Sequence, residues 1–366
     1  MRATVAEINI QNLKHNYNRI KAIAPQSKMM AIVKANAYGH GMVKIAKILQ
    51  EEGSDFFGVA FADEGAILRD NGITKPIVVL FPGAIHEAPI YCNYDLQPIA
   101  SSKRFMTAIN EEAKNQGVDI KAHLLIETGM HREGIKVELV PDFLSFMSEL
   151  KNIELIAACT HFATAQDNKE FALHQLRLFL DTIDNLKSDG YFFQYLHAAN
   201  SAGIGNFPDA QLNIIRPGLS LYGYPPAKDL EEVFAVKPIM KLLTKVIITH
   251  RIKQGESVGY SRLFIADKDT TIATLPLGYG DGFTRAQTGK ANCLINGKKY
   301  PIVGSICMDA CMVDVGDDNI KSGDQVVIIG NQGSESILAT DIARVINTIP
   351  YEVTTAIAAR VPRVYV

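Results

Sequence analysis

The sequence predicts an α/β chain in two parts: an N-terminal (β/α)8 barrel of the TIM type over residues 1–232, and a mostly antiparallel β domain over residues 233–366. Three observations predict it. Eight apolar, β-branched runs alternate with helix-patterned stretches through the first two-thirds of the chain. Residues able to carry chemistry fall just after the first, fifth, sixth, seventh and eighth of those runs, as they do on the one working face of a barrel. Beyond about Val236 long helical patterns cease, and strand-like runs succeed one another across glycine-bearing turns such as Asn296-Gly297.

The eight runs lie at Met29–Val33, Phe56–Ala60, Ile77–Leu80, Leu96–Ala100, Ile120–Ile126, Ile153–Cys159, Phe193–His197 and Leu212–Ile215. Helical patterns between them include Met42–Glu52, Ser102–Gln116 and Asn168–Leu186, several ending near a glycine that can take the left-handed cap. A doubly wound open sheet is the competing arrangement. It would spread Lys34, Arg132, His161, Asn200-Ser201 and Arg216-Pro217-Gly218 along an edge, too far apart to meet one small ligand. The break between the parts falls within Pro225–Val236, where Pro225-Pro226 and the charged run Lys228–Glu232 interrupt the pattern. The second part reads as strands at Lys245–Thr249, Thr271–Leu275, Asn292–Ile295, Met312–Val315 and Gln325–Ile329, then a helix at Ala339–Asn347. The first residues of the chain are candidates for packing with this second part.

Composition narrows the function. Lys+Arg of 37 against Asp+Glu of 39 leaves a formal charge of −2 over 366 residues, so nothing global favours nucleic acid or an anionic membrane. The five cysteines (Cys92, Cys159, Cys293, Cys307 and Cys311) show no C-x-x-C pairing, which suits reduced thiols and argues against a disulfide or metal framework. The opening Met1-Arg2-Ala3-Thr4-Val5-Ala6-Glu7 has no apolar leader stretch, and no segment reaches membrane-spanning length. A cytoplasmic enzyme acting on a small substrate is the expectation.

Ala31-Ile32-Val33-Lys34-Ala35-Asn36-Ala37-Tyr38-Gly39-His40-Gly41 is the most informative stretch, an apolar strand that ends on one lysine and opens into a small-residue loop. A lone strand-end lysine ordinarily snorkels to solvent. In apolar surroundings its charged form is disfavoured, and the neutral amine becomes able to attack a carbonyl or take a proton. The whole run resembles the cofactor-lysine motif of the alanine racemases, pyridoxal-phosphate enzymes. Further segments extend the resemblance over essentially the whole chain: Thr160-His161-Phe162-Ala163-Thr164-Ala165, His197-Ala198-Ala199-Asn200-Ser201, Ile215-Arg216-Pro217-Gly218-Leu219, Gly259-Tyr260-Ser261-Arg262, Gly278-Tyr279-Gly280-Asp281-Gly282 and Ile306-Cys307-Met308-Asp309.

The resemblance implies a role for each position. Lys34 holds pyridoxal 5'-phosphate through its aldehyde and is one catalytic base; Tyr260, delivered by the partner subunit of a homodimer, is the other. Tyr38, Ser201, Gly218 and Leu219 serve the phosphate, with Asn200 beside them, where a helix N-cap would also explain Asn200-Ser201. His161 lies against the pyridine ring, and Arg216 faces the ring nitrogen with His197 supporting it. A guanidinium keeps its own proton, so the nitrogen stays largely unprotonated and the ring is a weak electron sink, which suits racemisation over transamination. Arg132 and the Met308 backbone N–H receive the substrate carboxylate, Tyr279 lines the entrance, and Asp309 shapes the site. No metal is expected.

Three positions depart from the family pattern. Leu125 stands where many members carry a carbamylated lysine paired with the arginine, leaving Arg132 to find another anion such as Glu127 or chloride. Ala359 replaces a tyrosine near the phosphate and Ala310 a common glutamine. The vacancy at Ala359 opens the reading to a serine or broad-range racemase. An amino-acid decarboxylase on a related barrel is disfavoured by the joint presence of Lys34, Tyr260 and Arg216. A non-catalytic cofactor-binding protein is disfavoured by the second domain and its tyrosine.

Overall fold

The computed structural model describes residues 2–366 and divides the chain into two units. One comprises Asn12–Ala37 and Met42–Pro238; the other comprises the N-terminal residues through Gln11, Tyr38–Gly41 and Ile239–Val366. Strand β1 (Val5–Ile8) belongs to the latter.

The larger unit is a parallel barrel. Its strands are β2 (Lys28–Ile32), β3 (Phe56–Val59), β4 (Ile77–Val79), β5 (Leu96–Ala100), β6 (Ile120–Glu127), the short β7 (Ile135–Lys136), β8 (Ile153–Cys159), β9 (Tyr195–His197) and β10 (Ile214–Ile215). They pair in the order β10-β2-β3-β4-β5-β6-β8-β9, with β7 beside β6. A parallel bridge between Asn200 and Arg216 joins the two ends of that order, and Leu196 N–H donates to Asn213 Oδ1 at 2.8 Å across the same seam. The open sheet is thereby excluded. Seven of the eight residues of β6 are buried, as both-sided burial of a parallel strand requires.

The helices between strands form for local reasons. Ser102 caps the helix Lys103–Gln116 by accepting from Phe105 N–H, Gly117 closes it in the left-handed conformation, and Phe105, Met106, Ile109 and Ala113 make its buried stripe. Asn168 likewise accepts from Phe171 N–H at the start of Lys169–Ser188. The run Lys228–Glu232, read as a boundary, stays with the barrel: Leu230 and Phe234 are buried, and both lie where a side chain on Gly205 would be. Asn16 donates to the carbonyls of Leu221 and Lys237, so the division falls between Pro238 and Ile239, past the break expected at 232.

Gly223 ends the turn Leu219–Tyr222 at φ +92°, and a Cβ there would sit 1.9 Å from the Lys237 carbonyl oxygen. Gly223→Ala combines left-handed strain with a backbone clash and should destabilise the fold by about 2–4 kcal/mol. A clearly lowered urea-unfolding midpoint is the expected result; an unchanged one would mean that the backbone at Lys237 yields without cost.

The smaller unit is mostly antiparallel. Its strands are β1, β11 (Met240–Lys245), β12 (Ile248–Ile252), β13 (Ser257–Val258), β14 (Phe264–Ile265), β15 (Thr270–Leu275), β16 (Asn292–Ile295), β17 (Lys298–Val303), β18 (Cys311–Gly316), β19 (Gln325–Gln332), β20 (Glu335–Ile337) and β21 (Arg363–Tyr365). The order runs β12-β15-β18-β17-β16-β19-β11-β1-β21, β20 adds to β19, and β13 pairs with β14. The first strand is placed by its pairing with β11 and β21, where Ala6 lies opposite Leu242 and Arg363. The single strand expected at Lys245–Thr249 is two. Val246 N–H bonds to the Asp324 carbonyl and Ile247 N–H to that of Thr274, so the chain leaves its β19 partner and joins β15 at that step.

Among the described residues no helix is long and apolar enough to cross a membrane. No cluster of His, Cys, Asp and Glu that could hold a metal ion occurs among them, and the five cysteines are free thiols.

Candidate active site

Lys34 follows β2 by two residues. Immediately after it, Ala35, Asn36, Ala37 and Tyr38 all take left-handed φ angles between 51° and 55°, a conformation that costs L-residues roughly 1–2 kcal/mol each. Three bonds in the barrel unit hold the turn: Ala37 N–H donates to Val33 O at 2.8 Å, Asn36 Oδ1 accepts from Met42 N–H at 2.9 Å, and Glu64 Oε1 accepts from Ala35 N–H at 2.6 Å. The other Glu64 oxygen takes Ala60 N–H at 2.8 Å, so this one carboxylate ties the ends of two neighbouring strands. Burial, then the charge of Arg132, pushes the Lys34 amine below its ordinary range, while Glu64 and Glu133 oppose the shift. More neutral amine is available at neutral pH than on a surface lysine.

Arg132 lies over the Phe81 ring, 5.3 Å from its centroid, and makes a two-pronged pair with Glu133, whose side chain is nearly buried. Glu127, one of the two anions expected for it, the other being chloride, is committed elsewhere. Its carboxylate accepts from Gly129 N–H at 2.5 Å and Met130 N–H at 2.6 Å, and although burial raises its pKa, the surrounding amides bring it below the usual range. A small recess is lined by Leu125, Ile126, Glu127, Met130, Glu133, Gly134, Thr160 and His161.

Arg216 is buried among acceptors. Its Nη1 donates to His197 Nδ1 at 2.6 Å; its Nη2 donates to Thr160 O at 2.7 Å and Ala198 O at 2.9 Å, with His161 Nδ1 at 3.3 Å. The Nε–H edge has no protein acceptor among the described residues. Burial, then Arg216, brings His161 down to about 3 and His197 well below its ordinary value, so both rings are neutral.

Asn200 is an N-cap, accepting from Gly203 N–H at 3.0 Å. Ser201 Oγ accepts from Gly218 N–H at 3.0 Å and lies 3.0 Å from Ser220 Oγ. The amide expected to serve a phosphate from Gly218 is therefore bonded within the protein. Leu219 opens a 3-10 turn, where first-turn amides have no acceptor inside the helix.

The smaller unit carries the remaining positions. Tyr38 is buried with its ring 5.7 Å from that of Tyr351, and burial raises its phenol well above its ordinary range. Tyr260 is 73 % exposed on the connection between β13 and β14, and no described residue hydrogen-bonds its hydroxyl. Met308 and Tyr279 are exposed, and the loops bearing them are tied together: Tyr279 N–H donates to Cys307 O and Gly280 N–H to Met308 O. Arg360 bridges fully buried Asp281 at 2.7 Å and Asp309 at 2.8 Å. Burial raises the Asp281 carboxyl, but Arg2, Gly278 N–H and Arg360 together hold it below the usual range. Ala359 is exposed beside Arg360.

The model of the alanine racemase N-terminal domain matches residues 8–226, and that of the alanine racemase C-terminal domain matches residues 239–365. The chain belongs to the alanine racemase family. It is 38% identical over 369 residues to the alanine racemase of Carboxydothermus hydrogenoformans, covering all of both chains. The alanine racemase structure from Clostridium difficile 630 superposes with a TM-score of 0.94 at 36% identity, over 100% of this chain and 96% of that one. That of Bacillus anthracis, with bound L-Ala-P, superposes with a TM-score of 0.95 at 32% identity, over 100% and 95% respectively. Within this family member, sequence reasoning missed Glu133, Glu64, His123 and Gln97. A signal for the last two was present: Gln97 inside the apolar run Leu96–Ala100, and His123 inside the run Ile120–Ile126, where Lys121 is the other polar residue.

Proposed function

We propose that this chain interconverts L-alanine and D-alanine with pyridoxal 5'-phosphate held at the open end of the barrel. The observation that carries the reading is the convergence beside His161 of a lysine with a depressed pKa and a buried arginine whose Nε–H lacks a protein acceptor among the described residues. Those residues fit the cofactor: an amine for its aldehyde, a donor for its ring nitrogen, and hydroxyl and turn amides from Ser201 and Leu219, with Tyr38 and Asn200, for its phosphate. Gly218 would join them by releasing its bond to Ser201. When bound, the cofactor activates the substrate by taking up charge generated at the α-carbon.

Lys34, its charged form disfavoured by burial, takes or returns the α-proton on one face, that of the D-enantiomer. Tyr260 of the partner subunit does the same on the other face, for the L-enantiomer. Arg132, held by Glu133, and the Met308 N–H receive the substrate carboxylate. Arg216 keeps its proton, and the neutral rings of His161 and His197 add no competing acid. Tyr279 and Asp309 frame the entrance. Such a protein works as a homodimer in the cytoplasm, supplying D-alanine for cell-wall precursors.

An oxidase-coupled assay for D-alanine formed from L-alanine tests the activity; no D-alanine from cofactor-saturated protein would overturn it. Ala359 tests selectivity in the same assay. Excluding a slightly larger side chain is worth only about 1–3 kcal/mol, so a missing aromatic ring should admit serine. Serine racemisation should be measurable, and Ala359→Tyr should raise the alanine-to-serine ratio of kcat/KM by about tenfold or more. An unchanged ratio would mean that the space beside Ala359 does not set specificity.

A further inference from the structure

Behind Arg216 runs a chain of buried polar groups. His197 Nε2 lies 2.9 Å from His123 Nδ1, and His123 Nε2 lies 2.9 Å from Gln97 Oε1. None of the four residues is more than 6 % exposed, so water cannot stand in for a missing partner. The direction of every proton in this chain follows from its arginine end. A guanidinium only donates, so His197 Nδ1, 2.6 Å from Nη1, must accept. A neutral imidazole then carries its proton on Nε2 and gives it to His123 Nδ1. His123 in turn carries its proton on Nε2, facing the carbonyl oxygen of Gln97.

We propose that Gln97 and His123 are positioning residues for Arg216: the guanidinium dictates the tautomer of His197, and the chain through His123 to Gln97 holds that ring where its Nδ1 can accept. Reversing the chain would place an N–H of His197 against an N–H of Arg216, donor facing donor, although His123 Nδ1–H could still donate to His197 Nε2; the arginine end alone forbids the reversal. Gln97 completes the chain by accepting the His123 Nε2–H, which would otherwise be a buried donor without a partner. Burial, then Arg216, holds His123 down to about 3 and His197 below its ordinary range, so neither ring escapes the choice by taking a second proton. With Nη1 bound to His197 and Nη2 to Thr160 and Ala198, the guanidinium plane is fixed and the Nε–H edge is the one left to present. That this edge meets the pyridine nitrogen rests on the function proposed above; the tautomers do not.

The test uses full-length protein labelled with ¹⁵N in its histidine rings, first without cofactor. His123 and His197 should both appear as neutral Nε2–H forms at pH 7.5. In Gln97→Leu the arginine still dictates both Nε2–H forms, but the buried His123 Nε2–H loses its acceptor, and its proton resonance should move upfield as that hydrogen bond disappears. In the cofactor-loaded variant kcat should fall about tenfold, the size of one lost hydrogen bond in the transition state, with KM for alanine little changed and the cofactor absorption band shifted. Gln97→Glu, which keeps an acceptor oxygen for that N–H, should restore a downfield His123 resonance and most of kcat. An Nδ1–H form on either ring of the wild type overturns the proposal even if the variants fail to fold, as does a folded Gln97→Leu with an unshifted His123 Nε2–H resonance and undiminished kcat. Wild-type tautomers as expected in a protein that binds no pyridoxal phosphate would sustain the relay and overturn the cofactor reading instead.

Discussion

Lys34→Ala is expected to abolish racemisation in either direction, by at least about 10⁴-fold, because it removes both a positioned general base and the covalent tie to the cofactor. The fold should survive. Lys34 is partly exposed at the end of a strand, its own burial disfavours its charge, and the turn behind it is held by backbone bonds and by Glu64, none of which involves the lysine side chain. The variant should therefore keep its unfolding midpoint, lose the absorption band of the covalently held cofactor, and give no labelled peptide after borohydride reduction. In wild type the label should fall on Lys34 alone. A label on another lysine, or a variant that retains activity within about a hundredfold, would remove Lys34 from the role of base.

What could be read from the sequence was what depends on local pattern. The eight barrel strands are apolar because parallel strands are buried on both faces, so Ile120–Ile126 and Ile153–Cys159 stand out from their surroundings. Lys34, His161 and Arg216 were legible because each follows such a run in a specific motif. Pairings between distant segments were not legible. Val5–Ile8 is four residues long and gains its place only from β11 and β21, more than 200 residues away in sequence. The split between β11 and β12 is invisible for the same reason, since Lys245–Thr249 is strand-like throughout and only the change of partner breaks it. Glu133 escaped notice because a charged residue next to Arg132 in a loop reads as surface; its burial is a property of the recess. The histidine chain depends on registers in three strands, β5, β6 and β9, which no single run encodes.

Mixing two inactive variants should restore activity. Tyr260→Phe removes a hydroxyl that is proposed to carry the proton on the face opposite Lys34, and should cost about 10²–10⁴-fold. In the protein's own chain that hydroxyl bonds to no described residue, and Tyr260 shares its exposed hairpin region with Leu263 and Ile265, also exposed apolar side chains. A surface of that kind is suited to burial against a second copy. If each site takes Lys34 from one subunit and Tyr260 from the other, a hybrid of Lys34→Ala and Tyr260→Phe protomers has one site with both defects and one with neither. Random exchange makes half the dimers hybrid, each with one of two sites intact, so activity should recover to about a quarter of wild type. Homodimers of either variant have no intact site, which keeps the background low. If Lys34 and Tyr260 of one chain instead served the same site, every hybrid site would carry one defect and mixing would restore nothing. Exchange demonstrated by a mass-tagged subunit, without recovered activity, would therefore rule out the shared site while leaving Lys34 in place as the base.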